Sequence, residues 1–113
     1  MTTGQGTVKW MAPETLSNAP YTTKADIYSF GLIIWEVITR RPFFEEFKFN
    51  AQIEVQVVNH NTRPPISTFS PMLQEVIQQI WHADPSERPS AAALVSVISK
   101  WTPDDLVEDT LIE

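Results

Sequence analysis

The side chains best suited to metal or proton chemistry in this 113-residue chain are its two histidines, His60 and His82. Imidazole binds transition metals, but such sites combine histidines with cysteines or acids at short, regular spacings. The chain has no cysteine, and neither histidine lies within a ligand pattern. We therefore expect both to be surface or packing residues, and no metal site is predicted.

Paired acids and closely spaced glycines are the next groups that could do chemistry. Pairs such as Glu45-Glu46 are typical of solvated charge rather than of acid–base catalysis. Gly4 and Gly6 fall short of the G-x-G-x-x-G pattern that joins a strand to a helix in phosphate-binding loops. No group of residues in this chain therefore predicts ATP binding or proton transfer by itself.

The charge balance and the cysteine content narrow the partners and the compartment. Fourteen acidic residues against eight basic ones give a net charge of −6. No basic patch is present, so nucleic acid and anionic lipid are not expected partners. The chain has no cysteine, no apolar signal segment and no apolar run long enough to cross a membrane. Together these features predict an intracellular protein of one domain, without a membrane segment.

The elements that must position any site are mostly helices, and the longest is predicted over residues 23–39. Thr23 followed by Asp26 resembles a capping box, which satisfies free backbone N–H groups at a helix start. The helix has almost no polar face, so it belongs in the interior with other elements packed around it. Its apolar residues are Tyr28, Phe30, Leu32, Ile33, Ile34, Trp35, Val37 and Ile38.

The segment that follows the central helix is harder to interpret. Within residues 50–60, Ile53, Val55 and Val57 alternate as in a strand, although a short helix is equally compatible. The loop before this segment is predicted to be held by aromatic side chains, namely Phe43, Phe44, Phe47 and Phe49.

Two amphipathic helices complete the chain. Ser70 with Pro71 behind it makes a good N-cap and first helical position, and Ser90 is expected to cap the last helix. Each helix then carries an apolar stripe on one face. The stripes comprise Leu73, Val76, Ile77, Ile80 and Trp81 in the first, and Leu94, Val97, Ile98 and Trp101 in the second.

Three separated motifs resemble those of one family. W-M-A-P-E at residues 10–14 resembles the end of a protein kinase activation segment, and D-I-Y-S-F-G at residues 26–31 resembles the start of that family's central helix. W-H-A-D-P-S-E-R-P at residues 81–89 is similar to the segment before the last core helix. The resemblance identifies residues 1–101 as the C-terminal part of a kinase C-lobe, followed by an acidic tail at residues 102–113.

The resemblance also implies the fold. We expect a mainly helical unit in which a buried central helix is surrounded by about three further helices. It favours a helix over a strand at residues 50–60. Asn61 stands where relatives often have glycine, and asparagine tolerates the left-handed conformation that ends a helix.

Two structural roles follow from the same resemblance. In kinases the acid of the A-P-E turn pairs with the arginine before the last helix, which implies an ion pair between Glu14 and Arg88. Asp26 resembles the residue that supports the catalytic loop by accepting backbone hydrogen bonds. An acid that satisfies the free amides of a helix start is compatible with the same position.

The first residues resemble the platform that receives the substrate next to its phosphorylation site. This substrate platform comprises Gly6, Thr7, Val8, Lys9 and Trp10. A threonine at position 7 is typical of serine/threonine and tyrosine-kinase-like kinases, where it contacts the catalytic aspartate and lysine. Lys9-Trp10-Met11 is typical of tyrosine kinases, so a tyrosine-specific kinase stays the alternative.

Thr2 and Thr3 lie where activation-loop phosphorylation falls in the family. A phosphate there would add up to two negative charges and could order the loop against an arginine. Solvated threonines at the end of the chain are an equally good interpretation of the same residues.

The catalytic machinery of a kinase is absent from this sequence. It has no glycine-rich loop, strand lysine, H-R-D loop or D-F-G metal ligand. We therefore expect no catalysis by this chain alone, and ATP and Mg²⁺ only in a complete parent kinase. The expected partners are a protein substrate or the missing N-terminal kinase portion. A non-catalytic kinase-derived binding module or decoy, and an inert remnant of a kinase gene, are the alternatives.

The apolar central helix distinguishes these alternatives. If one side of it normally supports a catalytic loop and a neighbouring helix, that side is left uncovered here. Residues 1–113 alone should then bind a hydrophobic dye or self-associate. A sharp, reversible, monomeric melt without dye binding would favour an independent module instead.

Overall fold

The computed structural model describes residues 8–108, and the elements that lie wholly within them are helical. The α-helices are α1 (Pro13–Leu16), α2 (Thr23–Thr39), α3 (Asn50–Asn59), α4 (Pro71–Ile80) and α5 (Ala91–Ile98). Two short 3-10 turns lie at Pro85–Glu87 and Pro103–Leu106. The prediction of a mainly helical fold is confirmed. None of these helices is long and apolar enough to cross a membrane.

The central helix α2 has the predicted bounds, but its cap lies one residue earlier than predicted. Thr22 is the N-cap, and its Oγ1 accepts a hydrogen bond from the N–H of Lys24 at 3.2 Å. Thr23 is already inside the helix, so the capping box assigned to Thr23 and Asp26 is wrong. Two adjacent threonines are chemically equivalent caps, and only the extended backbone at Thr22 distinguishes them.

Helix α2 ends at an arginine in the left-handed region. Arg40 has φ 57°, and its N–H donates to the carbonyl of Glu36 at 2.7 Å. Thr39 reinforces this end, because its hydroxyl donates to the carbonyl of Trp35 and accepts from the N–H of Arg41. The turn therefore forms without the glycine that favours this conformation.

A single glycine sets the distance between α2 and α4. A Cβ atom at Gly31 would lie 2.7 Å from Cγ2 of Ile80, which is closer than such atoms approach. Ile80 is fully buried and so fills the space that the missing side chain leaves. The other large side chains that are fully buried in the core are Tyr28, Leu32, Val57, Phe69, Leu73 and Ile77.

The ambiguous segment at residues 50–60 forms a helix, α3. Ile53 and Val57, one turn apart, are buried, whereas Val55 between them is exposed. Because only the i, i+4 pair faces the core, the strand-like alternation had no structural meaning. Asn61 follows with φ 54°, in the left-handed conformation expected for the turn after the helix.

The aromatic loop before α3 is only partly as predicted. Phe43 and Phe44 are buried with their rings edge to face at 5.0 Å, and Phe47 is half-buried. Phe49 is 64% exposed, so the prediction that its side chain helps to hold the loop is wrong. It lies at the N-cap of α3, where Oε1 of Gln52 accepts from its N–H, and its side chain projects away from the core.

The last two helices start at the predicted caps. Ser70 accepts a hydrogen bond from the N–H of Leu73, and Ser90 accepts one from the N–H of Ala93. Of the last stripe, Leu94 is buried, whereas Val97 is exposed. The described residues end at Glu108, after the short turn at Pro103–Leu106.

Candidate functional site

Glu14 and Arg88, far apart in sequence, form a bidentate ion pair, which we call the anchor pair. Nη1 of Arg88 donates to Oε2 of Glu14 and Nη2 donates to Oε1, both at 2.8 Å. The Arg88 side chain is 0% exposed and that of Glu14 is 15% exposed. Parallel, charge-assisted hydrogen bonds of this kind are among the stronger ones in proteins.

Two further donors of Arg88 bind backbone carbonyls. Nε donates to the carbonyl of His82 and Nη1 donates to the carbonyl of Lys24, each at 2.8 Å. In return the ammonium group of Lys24 donates to the carbonyl of Arg88. Arg88 thus joins α1, the start of α2 and the segment before α5, and these hydrogen bonds offset part of the cost of burying its charge.

The pKa of Glu14 reflects this environment. Burial raises the pKa of its carboxyl, but the hydrogen bonds from Arg88 and from its own backbone N–H lower it by more. The positive charges of Arg88 and Arg63 act in the same direction. The net effect is a pKa below the ordinary value of 4.5, so the carboxylate stays ionised at neutral pH.

The end of the substrate platform is fixed to the central helix. Val8 is buried in the core, and the N–H of Met11 donates to its carbonyl. The hydroxyl of Ser29 donates to the carbonyl of Trp10 at 2.6 Å, and the Trp10 indole donates to Glu36 at 3.0 Å. Ser29 and Glu36 therefore position this backbone, and sequence reasoning had assigned them no role.

Lys9 lies across aromatic rings rather than in solvent. Its ammonium group is 4.7 Å from the ring centroid of Phe43 and 5.5 Å from that of Trp10, and it pairs with Glu45 at 3.1 Å. Its side chain is only 16% exposed, whereas that of Glu45 is 66% exposed. Cation–π contacts and a neighbouring carboxylate keep the amine at the surface of the platform.

The structure says less about the roles of the other predicted site residues. Asp26 is exposed at the start of α2, and its carboxylate accepts a hydrogen bond from the hydroxyl of Tyr21. The platform residues Gly6 and Thr7, and the candidate phosphorylation sites Thr2 and Thr3, lie outside the described residues.

Sequence reasoning missed a second arginine beside the anchor pair. The guanidinium groups of Arg63 and Arg88 each lie 5.1 Å from the ring centroid of Tyr28. Arg63 donates from Nε to the carbonyl of Trp81 at 3.0 Å and from Nη1 to the carbonyl of Thr62 at 2.9 Å. Its segment, N-T-R-P-P, was interpreted only as a break between helices, and no pattern in the sequence relates it to Tyr28.

Part of helix α2 is left open. Phe30, Ile33 and Val37 are exposed, and Val37 reaches 66% exposure. With Trp101 and Leu106 they line a shallow groove of about 220 Å³ whose lining is entirely apolar. We call the exposed side of α2 the open face.

Within residues 8–108 no group of three His, Cys, Asp or Glu side chains could hold a metal ion. His60 is exposed, and Nδ1 of His82 accepts a hydrogen bond from the N–H of Asp84 at 3.0 Å.

A helical unit with an A-P-E turn joined by a buried ion pair to the segment before its last helix is of protein kinase type. The family model for protein tyrosine and serine/threonine kinases matches residues 1–98. Human mitogen-activated protein kinase kinase kinase 7 is 38% identical over 100 residues, which cover 88% of this chain and 16% of that protein. The chain therefore belongs to the protein tyrosine and serine/threonine kinase family.

Relatives from other kingdoms match to the same degree. Serine/threonine/tyrosine-protein kinase HT1 of Arabidopsis thaliana is 37% identical over 107 residues, covering 94% of this chain and 27% of that protein. Dual specificity protein kinase shkA of Dictyostelium discoideum is 37% identical over 106 residues, covering 93% and 20%. The chain thus spans about a quarter or less of the length of these curated relatives. Complete kinases of this family use ATP and Mg²⁺.

Proposed function

We propose that this chain is the part of a protein kinase domain that anchors the activation segment and docks the protein substrate. In this proposal residues 1–101 belong to the kinase domain and residues 102–113 form an acidic tail. The acceptor is serine or threonine, in the tyrosine-kinase-like branch of the family. The observation that carries the proposal is the buried, bidentate pair of Glu14 with Arg88.

The anchor pair and the platform act together in this proposal. Phosphoryl transfer depends mainly on the positions of the reacting groups, and a misplacement of about 1 Å can cost about a hundredfold in rate. Glu14 fixes the turn at Ala12 and Pro13, only a few residues beyond Trp10. Ser29 and Glu36 hold Trp10 to α2, and Glu14 ties the turn that follows the platform to Arg88.

ATP and Mg²⁺ enter this function only through the rest of a kinase domain. They supply the transferred phosphoryl group and neutralise its charge. Asp26, at the exposed start of α2, is proposed to support the catalytic loop. Phosphorylation of Thr2 or Thr3 is proposed to order the activation segment.

The acceptor specificity rests on Thr7, where tyrosine kinases usually have proline. Lys9 and Trp10 favour the alternative, a tyrosine-specific kinase. The names of the relatives HT1 and shkA describe them as serine/threonine/tyrosine and dual specificity kinases, so phosphotyrosine formation must be measured directly.

A chimeric kinase tests the proposal. The 100 matched residues of human mitogen-activated protein kinase kinase kinase 7 would be replaced by the corresponding residues of this chain. We expect the chimera to transfer phosphate from radiolabelled ATP to a protein substrate, with phosphoserine and phosphothreonine as products. Mainly phosphotyrosine would favour the alternative acceptor. A folded but inactive chimera would contradict the docking function and favour a non-catalytic binding module.

Two matched variants of the chimera distinguish the loss of the anchor pair from the general effect of replacing a glutamate with glutamine. Glu14→Gln removes the negative charge of the anchor pair. We expect kcat/KM to fall at least about tenfold, which corresponds to about 1.4 kcal/mol. Glu54→Gln makes the same change at an exposed position of α3 and should leave activity unchanged. Equal losses in both variants would show that the anchor pair has no special role.

A further inference from the structure

A cleft of about 390 Å³ lies on the surface behind the anchor pair, between the end of α4 and the segment that follows α3. Its polar lining consists of Asn61, Arg63, Gln78 and His82. We call this cavity the polar cleft. It does not share a lining residue with the substrate platform, so it is a separate surface.

Each polar side chain of the cleft can donate a hydrogen bond, and none is an acid. Both N–H groups of Arg63 that are bonded donate to backbone carbonyls, so no carboxylate contacts this guanidinium among residues 8–108. The third nitrogen, Nη2, is buried and has no hydrogen-bond partner within the same residues. The wall of the cleft therefore carries a positive charge that no carboxylate contacts in the part of the chain that the structure describes.

His82 adds a directed donor at the rim. Because its Nδ1 accepts from the N–H of Asp84, the neutral ring carries its proton on Nε2. The carboxylate of Asp84 does not line the cleft, since it accepts from the N–H and the hydroxyl of Ser86 at 3.0 Å and 2.8 Å. The carboxylate of Asp84, the nearest acid along the chain, is thus engaged in hydrogen bonds within its own turn.

The charged side chains behind the cleft also leave an excess of positive charge. Arg63 and Arg88 approach one ring, that of Tyr28, but within residues 8–108 the carboxylate of Glu14 forms its ion pair with Arg88 and not with Arg63. Burial lowers the pKa of Arg63 and the neighbouring charge of Arg88 lowers it further, whereas Tyr28 and Glu14 act in the opposite direction. An anion placed in the cleft would be attracted by this unneutralised charge, and the low dielectric of the wall strengthens the attraction.

The other side of the cleft is apolar, with Pro64, Ile66 and Trp81 in its lining. We propose that the polar cleft binds an acidic segment of a partner protein, in which a Glu or Asp is followed by an apolar residue. The carboxylate accepts hydrogen bonds from the rim donors, and the apolar side chain packs against Trp81 and Ile66. Charge complementarity next to an apolar wall suits such a segment better than a free ion.

Peptide titration of the 113-residue chain tests this inference. The probe is an acetylated, amidated peptide Ala-Leu-Glu-Glu-Leu-Ala, and the control peptide replaces both Glu residues with Gln. We expect chemical-shift changes at Trp81 and His82 with the acidic peptide only. Equal binding of the control peptide would overturn the inference, and so would binding of inorganic phosphate as tight as that of the peptide.

A pair of single variants makes the test independent of folding. Gln78→Glu places a negative charge in the cleft, whereas Gln79→Glu adds the same charge at the next exposed position of α4, outside the cleft lining. We expect Gln78→Glu to weaken peptide binding about tenfold because like charges repel. Gln79→Glu should change the Kd less than about twofold. Equal weakening by the two variants would contradict binding in the cleft.

Discussion

Arg88 and Arg63 lie at the same distance from the ring of Tyr28 but have different partners. Arg88 is completely buried, binds a carboxylate with two nitrogens and donates to two carbonyls. Arg63 is partly exposed, and its partners among the described residues are two backbone carbonyls. Arg88 is therefore a cation that joins distant parts of the chain, whereas Arg63 is a cation that gives a surface cleft its charge.

The largest expected effect is the loss of Arg88. Arg88→Met leaves Glu14 partly buried without its partner, so we expect the free energy of unfolding to fall by about 3–5 kcal/mol. Urea denaturation followed by circular dichroism measures it. Lys48→Met, at an exposed position, is the control and should cost less than about 0.5 kcal/mol. A loss below about 1 kcal/mol for Arg88→Met would mean that the pair is as weak as a surface ion pair.

Acid should reproduce part of this loss. The pKa of Glu14 is lowered in the folded chain, so the stability that its ionised form contributes is complete above the unfolded value of 4.5. That contribution is lost as the pH falls through the lower, folded pKa. Urea unfolding at a series of pH values between neutrality and pH 3 should show it. Glu14→Gln should flatten this part of the profile, and an unchanged profile would contradict the assignment.

Arg63→Met should cost less than Arg88→Met. The variant loses two hydrogen bonds to carbonyls but also removes a desolvated charge, so we expect a loss of about 1 kcal/mol. The same urea titration measures it. A loss as large as that of Arg88→Met would show that the two arginines are equivalent parts of one network, against the comparison drawn above.

Tyr28→Phe should have the smallest effect. The Tyr28 hydroxyl is buried and has no hydrogen-bond partner among the described residues, and burial raises its pKa. Removing it should leave stability within about 1 kcal/mol or raise it slightly. Thermal unfolding provides the measurement. A clear loss of stability would show that the hydroxyl has a hydrogen-bond partner, such as a buried water, and that the two arginines bind the same partner.

Local patterns in the sequence predicted much of the fold. Ser70 and Ser90 cap the helices that they were expected to cap, because a hydroxyl before an apolar stripe satisfies a free N–H whatever the surroundings. The prediction that Thr23 caps α2 was wrong, since Thr22 can cap equally well and the approach of the preceding loop decides. The exposed ring of Phe49 was also missed, because side-chain type alone does not fix which way a loop residue points.

The candidate site could be predicted only where a motif marks it. The positions of Glu14 and Arg88 come from two family motifs, and the structure brings these residues together. Arg63, Ser29 and Glu36 carry no such mark. Their partners lie in other elements, so their roles depend on how α2, α4 and the loops pack and not on any local spacing.

The account depends most on the coupling between Glu14 and Arg88, and a double-mutant cycle measures it directly. Unfolding free energies of the wild type, Glu14→Gln, Arg88→Met and the double variant would be compared in urea. We predict that the double variant loses at least about 1 kcal/mol less than the sum of the single losses, as expected for residues in contact. Losses that add within about 0.5 kcal/mol would contradict the account, because the pair would then not join the activation segment to the helices.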